Sequence, residues 1–377
     1  MLCCLALASL PPAVLRAQWL DTPARFVPGD SVRVWGYYGE DLVSLGRRTG
    51  AEAAPLPLAL TRKTSKPQRK LQGEWRKALA KAQLTGSTEA PYSDTQAQAA
   101  TPLFTRAARM LQLTGDAAYA DLMERVLYNA AAQSAAQSAA AAKPDGKETR
   151  AAAALLATMP GAVYMQTGED LYVNLYTNST ARLTSGGKGF TLDQITDMPY
   201  NGAVRLRLTR FPGTLRLRLH LRIPDWAAGE TATGTPFRYA ARPEEKVRVF
   251  ICGHEVGAND LRGGYLTVEN DWEEMNEVYI ALPLEPTLVR PATADDNPLK
   301  HPAAIQRGPL VYSLQGDDCR GYYLSPSARP ELDADNGTDL RGEAYSKRDV
   351  PQDAAAPPMP YLARPYYLTS GGTLWVE

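Results

Sequence analysis

Two periods divide this chain. Through Arg106–Asn129 apolar residues recur at three-and-four spacing, and from Ala162 onward they alternate with polar ones, so a helical front is expected to lead into a β-rich remainder. The helical stretch reads as two helices joined by a two-residue turn. Leu103, Ala107, Met110 and Leu111 share one face of the first helix, which closes at Thr114-Gly115, where glycine suits a left-handed residue. Asp116 is placed to cap the second helix. There Tyr119, Leu122, Met123, Val126 and Leu127 form the apolar stripe, and Asp121, Glu124 and Arg125 fall on the side predicted to face water.

Beyond the hairpin, the alanine-rich run Ala130 to Lys143 has high helix propensity and reads as a spacer. Leu171–Ser179, Ile195–Leu208 and Leu215–Ala227 then read as strands of an antiparallel sandwich, apolar residues alternating with arginines on a wet face. Gly264–Val268 and Trp272 continue it to Ala281–Pro291. Residues 18 to 90 are less legible. Ser31–Tyr38 alternates like a strand, Pro55–Pro67 reads as a basic loop, and Gln72–Gln83 as a polar helix. Residues 1 to 17 have a short apolar core and a small residue before Gln18. They suit a signal peptide, which would make the protein periplasmic or secreted, but they lack a basic start; without a signal peptide the chain would be cytoplasmic.

Composition narrows the function classes. At 377 residues the chain accommodates two or three domains, and 41 basic residues balance 41 acidic ones. That balance argues against a nucleic-acid surface, which needs a basic excess to release counterions. No run reaches the roughly 18 apolar residues of a membrane span. Cys252 and Cys319 stand alone outside the N-terminal pair Cys3-Cys4, so no disulfide framework is expected. Histidine occurs three times, at His220, His254 and His301, with no metal-ligand spacing. Tyrosine occurs 19 times; aromatic faces suit sheet cores and sugar rings alike. Asn178-Ser179-Thr180 fits a glycosylation sequon, a tripeptide too common to carry weight.

Several phrases are more particular. In the hairpin stand Leu113-Thr114-Gly115-Asp116, Tyr119-Ala120-Asp121, Glu124-Arg125 and Leu127-Tyr128-Asn129. Leu155–Gly161, Leu171–Ser179, Ile195–Gly202, Leu221–Ala227 and Ala303–Leu314 follow, and Pro365-Tyr366-Tyr367 and Leu374-Trp375-Val376 close the chain. In that order they resemble the glycoside hydrolases of family 127, the β-L-arabinofuranosidase family, over about residues 91 to 377. The resemblance implies a mainly-β protein with an α-helical N-terminal part: a remnant of an (α/α) barrel followed by two antiparallel β-sandwich domains. The corresponding divisions are residues 91–160 for the helical remnant, 161–288 for the sandwich and 289–377 for a second β-domain. The partner implied is a carbohydrate, an arabinose-containing oligosaccharide or glycan.

The family's chemistry, by the same resemblance, uses a cysteine thiolate held on zinc by neighbouring cysteines and a glutamate, while a second glutamate serves as acid/base. Zinc keeps the sulfur deprotonated, and the thiolate is the nucleophile. In this chain Asp94 stands at the ligand glutamate, and Gln96, Lys147 and Glu148 stand at the three cysteines. Zinc is therefore expected to be lost. Gly73-Glu74-Trp75 resembles the acid/base phrase, offset by about four residues from the next landmark. Glu74 and Asp94 are thus the positional catalytic candidates, with an ordinary exposed helix glutamate as the competing reading of Glu74. An intact barrel of about twelve helices needs roughly 200 residues, and only about 140 separate residue 17 from the first sheet, so a shortened, catalytically impaired member is expected. The alternative is a non-catalytic carbohydrate-binding or interaction protein, for which Trp226, Tyr265 and Trp272 are the candidate exposed aromatic platform.

Overall fold

The computed structural model describes residues 20, 22–36, 41–44, 70, 72–75, 95–140, 147–231, 235, 237–258, 261–292, 301–315, 322–325, 329–346, 358–369 and 374–376. The signal-like segment, the Pro55–Pro67 loop and most of the Gln72–Gln83 helix lie outside them. Residues 95–162 form four helices: α1 (Thr95–Thr114), α2 (Ala117–Arg125) running through a π-helical turn at Val126–Ala131 into α3 (Ala132–Ala140), and α4 (Lys147–Ala162). The hairpin forms as its spacing predicts. Gly115 adopts φ +62° at the turn, and Asp116 accepts a hydrogen bond from the Ala118 N–H as the cap.

Three sheets follow. The first runs β1 (Arg25–Phe26), β3 (Tyr164–Thr167), β4 (Asp170–Val173), β8 (Leu215–Arg222), β13 (Tyr265–Trp272) and β12 (Leu261–Arg262), with β4 and β8 parallel and the other pairs antiparallel. The second is β11 (His254–Val256), β10 (Arg248–Ile251), β14 (Glu277–Ala281), β7 (Ala203–Thr209), β6 (Lys188–Thr196), β5 (Ser179–Ser185) and β2 (Val32–Val34). Leu215, Leu217, Leu219 and Leu221 of β8 are fully buried, as are Val204, Leu206 and Leu208 of β7, which is the alternation of a sandwich with one wet face per sheet. The third sheet comprises β18 (Tyr322–Tyr323), β20 (Leu340–Ser346), β21 (Met359–Pro365), β17 (Leu310–Gln315), β16 (Ala304–Arg307), β15 (Pro286–Pro291) and β9 (Phe237–Tyr239), with β19 (Glu331–Leu332) on β20. The fold is mainly β with helices at the N-terminal side.

The structure corrects several sequence expectations. Ile195–Leu208 is two strands: β6 ends at Thr196 and β7 begins at Ala203. Gly202 sits in that turn because a Cβ there would lie 1.8 Å from the Leu282 carbonyl oxygen, and its own carbonyl accepts the Leu282 N–H at 2.9 Å. The alanine run is not a spacer. Ala130, Ala131, Ala132 and Ala135 are buried, and the buried Gln133 donates to the carbonyls of Tyr366 and Thr369 near the C-terminus. Alanine suits this contact because a methyl side chain lets a helix approach its neighbour closely. Strand β2 occupies three residues of the predicted Ser31–Tyr38 run, and it joins the second sheet by pairing with β5.

Candidate functional site

The densest polar chemistry lies where α2 meets the sheets, in side chains predicted to face water. Asp121, Glu124 and Arg125 are 5%, 1% and 3% exposed, and Arg222 at the end of β8 is 0% exposed. Arg222 donates to Asp121 at 2.6 Å and pairs with Glu124 through its other terminal nitrogen. Trp226 Nε1 donates to the same Glu124 carboxylate at 3.1 Å. Arg125 donates to Asp225 at 2.5 Å and to the Tyr239 hydroxyl at 2.7 Å, and Tyr239 in turn donates to Asp225 at 3.1 Å. Local sequence positions these groups: Pro224 precedes α5 (Asp225–Ala228), which Gly229 closes at φ +68°, so Asp225 and Trp226 are held directly after β8.

Two guanidinium groups here face three carboxyl groups. Burial, reinforced by the Asp225 carboxylate, pushes Asp121 well above the usual carboxylate range against the pull of Arg222 and Arg125. A proton on Asp121 brings the cluster to balance, as a buried site of low dielectric favours. These side chains are sealed and paired with one another, with only the Nε atoms of Arg125 and Arg222 left without a hydrogen-bond partner in the cluster, so they lock the helical hairpin to the sandwich. The corner is closed by backbone as well: the Ala117 N–H donates to the Gly263 carbonyl at 2.7 Å, and a Cβ on Gly264 would strike the Ala117 methyl at 2.6 Å.

A second cluster lies on the open part of the same face of the first sheet. Asp170, His220 and Thr267 sit on the neighbouring strands β4, β8 and β13. His220 bridges them, Nε2 to Asp170 at 2.8 Å and Nδ1 to Thr267 at 3.0 Å, while Tyr172 stacks on its ring with centroids 4.2 Å apart. Arg218 donates twice to Asp170 at 2.7 Å. Burial pushes Asp170 upward, but the hydrogen bonds from Arg218 and His220 outweigh it and hold it below its ordinary range. For His220 burial prevails over Asp170, so the ring is held below 6.5. The neutral ring then donates from Nε2 to Asp170 and accepts the Thr267 hydroxyl at Nδ1.

Glu74 is exposed and lies 3.9 Å from Lys70 at i,i+4. Asp94 lies outside the described residues. Gln96, Lys147 and Glu148 fall within α1 and α4, where only their backbone is described. The candidates are therefore not brought together among the described residues. Trp226, Tyr265 and Trp272 are 4%, 1% and 0% exposed, which removes the expected aromatic platform; Trp272 donates instead to the Leu217 carbonyl and Tyr265 to Asn174. Asn178 of the sequon spends both ends of its amide on the Thr196 backbone.

Residues 170–284 match the family model described as β-L-arabinofuranosidase, GH127 middle domain. That segment of the chain is similar to the middle domain of family GH127. The GH127 match takes in β4 to β14 and so contains Asp170, Arg218, His220, Arg222 and Asp225. Among solved structures, a GH127 β-arabinofuranosidase aligns with a TM-score of 0.63 and 22% identity, over 78% of this chain and 54% of that one. A GH127 β-L-arabinofuranosidase from Geobacillus stearothermophilus T6 aligns with a TM-score of 0.63 and 21% identity, over 92% and 61%. A third, named only as a glycoside hydrolase, gives 0.56 and 22% over 74% and 51%. The chain thus spans between half and two thirds of the length of these structures and shares their fold. No curated protein matches it. Sequence reading missed the buried cluster; the signal available was the density of charge on α2 opposite the single arginine ending β8.

Proposed function

We propose that this chain is a glycosidase-type protein directed at β-L-arabinofuranosides or related plant-type sugars, and that its own residues do not build a zinc-thiolate centre. The observation that carries this reading is the donor set. Where the family resemblance places three cysteines, this chain has Gln96, Lys147 and Glu148. An amide, an ammonium and a carboxylate do not fit a site that must hold and activate a thiolate. Displacement at the anomeric carbon by a metal-held sulfur therefore has no nucleophile at those positions. A carboxylate route needs two groups about 5 Å apart. Glu74 and Asp94 are its positional candidates.

The test is release of nitrophenolate from a nitrophenyl β-L-arabinofuranoside by the folded, purified chain against a heat-killed control. No release above the control is expected. Release that a chelator abolishes would overturn the reading of the donor set. Release that persists with chelator and disappears in Glu74→Gln or Asp94→Asn would establish the carboxylate route and overturn the claim of impairment.

A further inference from the structure

The wet face of the second sheet carries a row of side chains that the buried clusters leave unused. Cross-strand pairing sets Phe250 opposite Tyr279, Tyr279 opposite Arg205, and Arg205 opposite Ile195, on β10, β14, β7 and β6. Tyr279 is 37% exposed and Ile195 41%, both high for large apolar side chains. The Phe250 and Tyr279 rings stand 5.9 Å apart and are tilted by 50°, so they form a shallow angled wall. Arg248 lies over Phe250 at 4.8 Å.

The charges along this row are paired. Arg248 donates twice to Glu255 at 2.9 Å, Arg207 donates to Glu277 at 2.5 Å, and Arg205 lies 3.9 Å from the same carboxylate. The face is thus close to neutral, aromatic at its β10–β14 end and edged by planar guanidinium and carboxylate groups. That combination suits an uncharged glycan. A sugar lays its C–H face on an aromatic ring and offers vicinal hydroxyls to planar bidentate groups. A nucleic acid would want an unpaired basic surface, and a protein hot spot a contiguous, desolvated apolar centre; here apolar and charged residues alternate. With strands about 4.8 Å apart, the row from Phe250 to Ile195 spans roughly 14 Å, enough for two or three sugar rings.

We infer that the Phe250–Tyr279–Arg205–Ile195 row is a glycan-docking surface, with Tyr279 as its stacking residue. The choice of an arabinose-rich glycan rests on the proposed function. Affinity electrophoresis of the whole chain in native gels containing arabinan, and separately arabinogalactan, tests it. Arabinan should retard the wild type, and Tyr279→Thr, which puts a strand-favouring β-branched residue at the exposed position, should bind about tenfold more weakly. Ile195→Asp serves as a second variant should the first not fold, with the same loss expected. Leu332→Ala, an exposed apolar position on the third sheet, should match the wild type. An unretarded wild type in both gels overturns the inference. Equal retardation of wild type and Tyr279→Thr also overturns it, while leaving the carbohydrate reading of the chain intact. A concentration-dependent dimer in sedimentation that Tyr279→Thr disrupts would overturn it in favour of a second copy of the chain.

Discussion

Arg222 shows how one side chain can tie two parts of a fold together. It reaches Asp121, 101 residues away in sequence, and Glu124, 98 residues away, with no exposed surface of its own. Arg222→Met is expected to cost about 3–5 kcal/mol, because it leaves buried carboxylates uncompensated; a lower urea midpoint with an unchanged slope would report it. Asp121→Asn should cost clearly less than Glu124→Gln, since burial and Asp225 already drive Asp121 toward its protonated form. Equal losses would contradict that charge balance. At His220 the folded pKa lies below 6.5, so its stabilising contribution is complete above that pH and is lost as pH falls through the lower folded value. Asp170, also lowered, follows only below 3.8. Between pH 7 and pH 5 the urea midpoint of the wild type should therefore fall more steeply than that of His220→Gln. The i to i+4 spacings that bury Leu122 and Val126 are legible in the sequence, whereas the partners that bury Glu124 are not, because no local pattern names an arginine a hundred residues on.

At the scale of elements, the π-helical turn Val126–Ala131 sets the register between helix and sheet. Within it Asn129 donates to the carbonyls of Arg125 and Pro309 and accepts the Val311 N–H, so a single amide holds the start of β17 against the helix. Asn129→Ala should lose about 2–4 kcal/mol, since the Val311 N–H and the Pro309 carbonyl would be buried without partners, and calorimetry of the variant checks it. Gly202→Ala should do more damage still, because the added carbon meets backbone that cannot rotate away, and soluble yield with far-UV dichroism reads the outcome. The hairpin, its glycine turn and its aspartate cap were predictable because each depends on residues within one or two turns. The break at Asp197–Gly202 was missed because apolar residues continue through Met198 and Tyr200, and alternation alone does not register a turn that retains them. The alanine run misled for a related reason. Low complexity usually signals solvent, yet small side chains are also what a closely packed helix requires.

At the scale of the molecule, helices and sheets share one continuous hydrophobic core, and the Arg222 and Arg125 clusters cross the seam between them. Helical dichroism near 222 nm and tryptophan fluorescence should therefore lose signal at the same temperature, and two separated transitions would show that the helical part unfolds by itself. The sequence by itself determined the helical hairpin, the alternating strands, the mainly-β character, the family resemblance and the replacement of its cysteines by Gln96, Lys147 and Glu148. These rest on periodicity and residue identity, which are one-dimensional. Only the tertiary structure decided that Asp121, Glu124 and Arg125 are buried, that Trp226, Tyr265 and Trp272 face inward, and that Tyr279 and Phe250 stand together on an open face. Burial and cross-strand neighbourhood depend on which distant segment packs where, and that pairing is fixed only when the whole core closes.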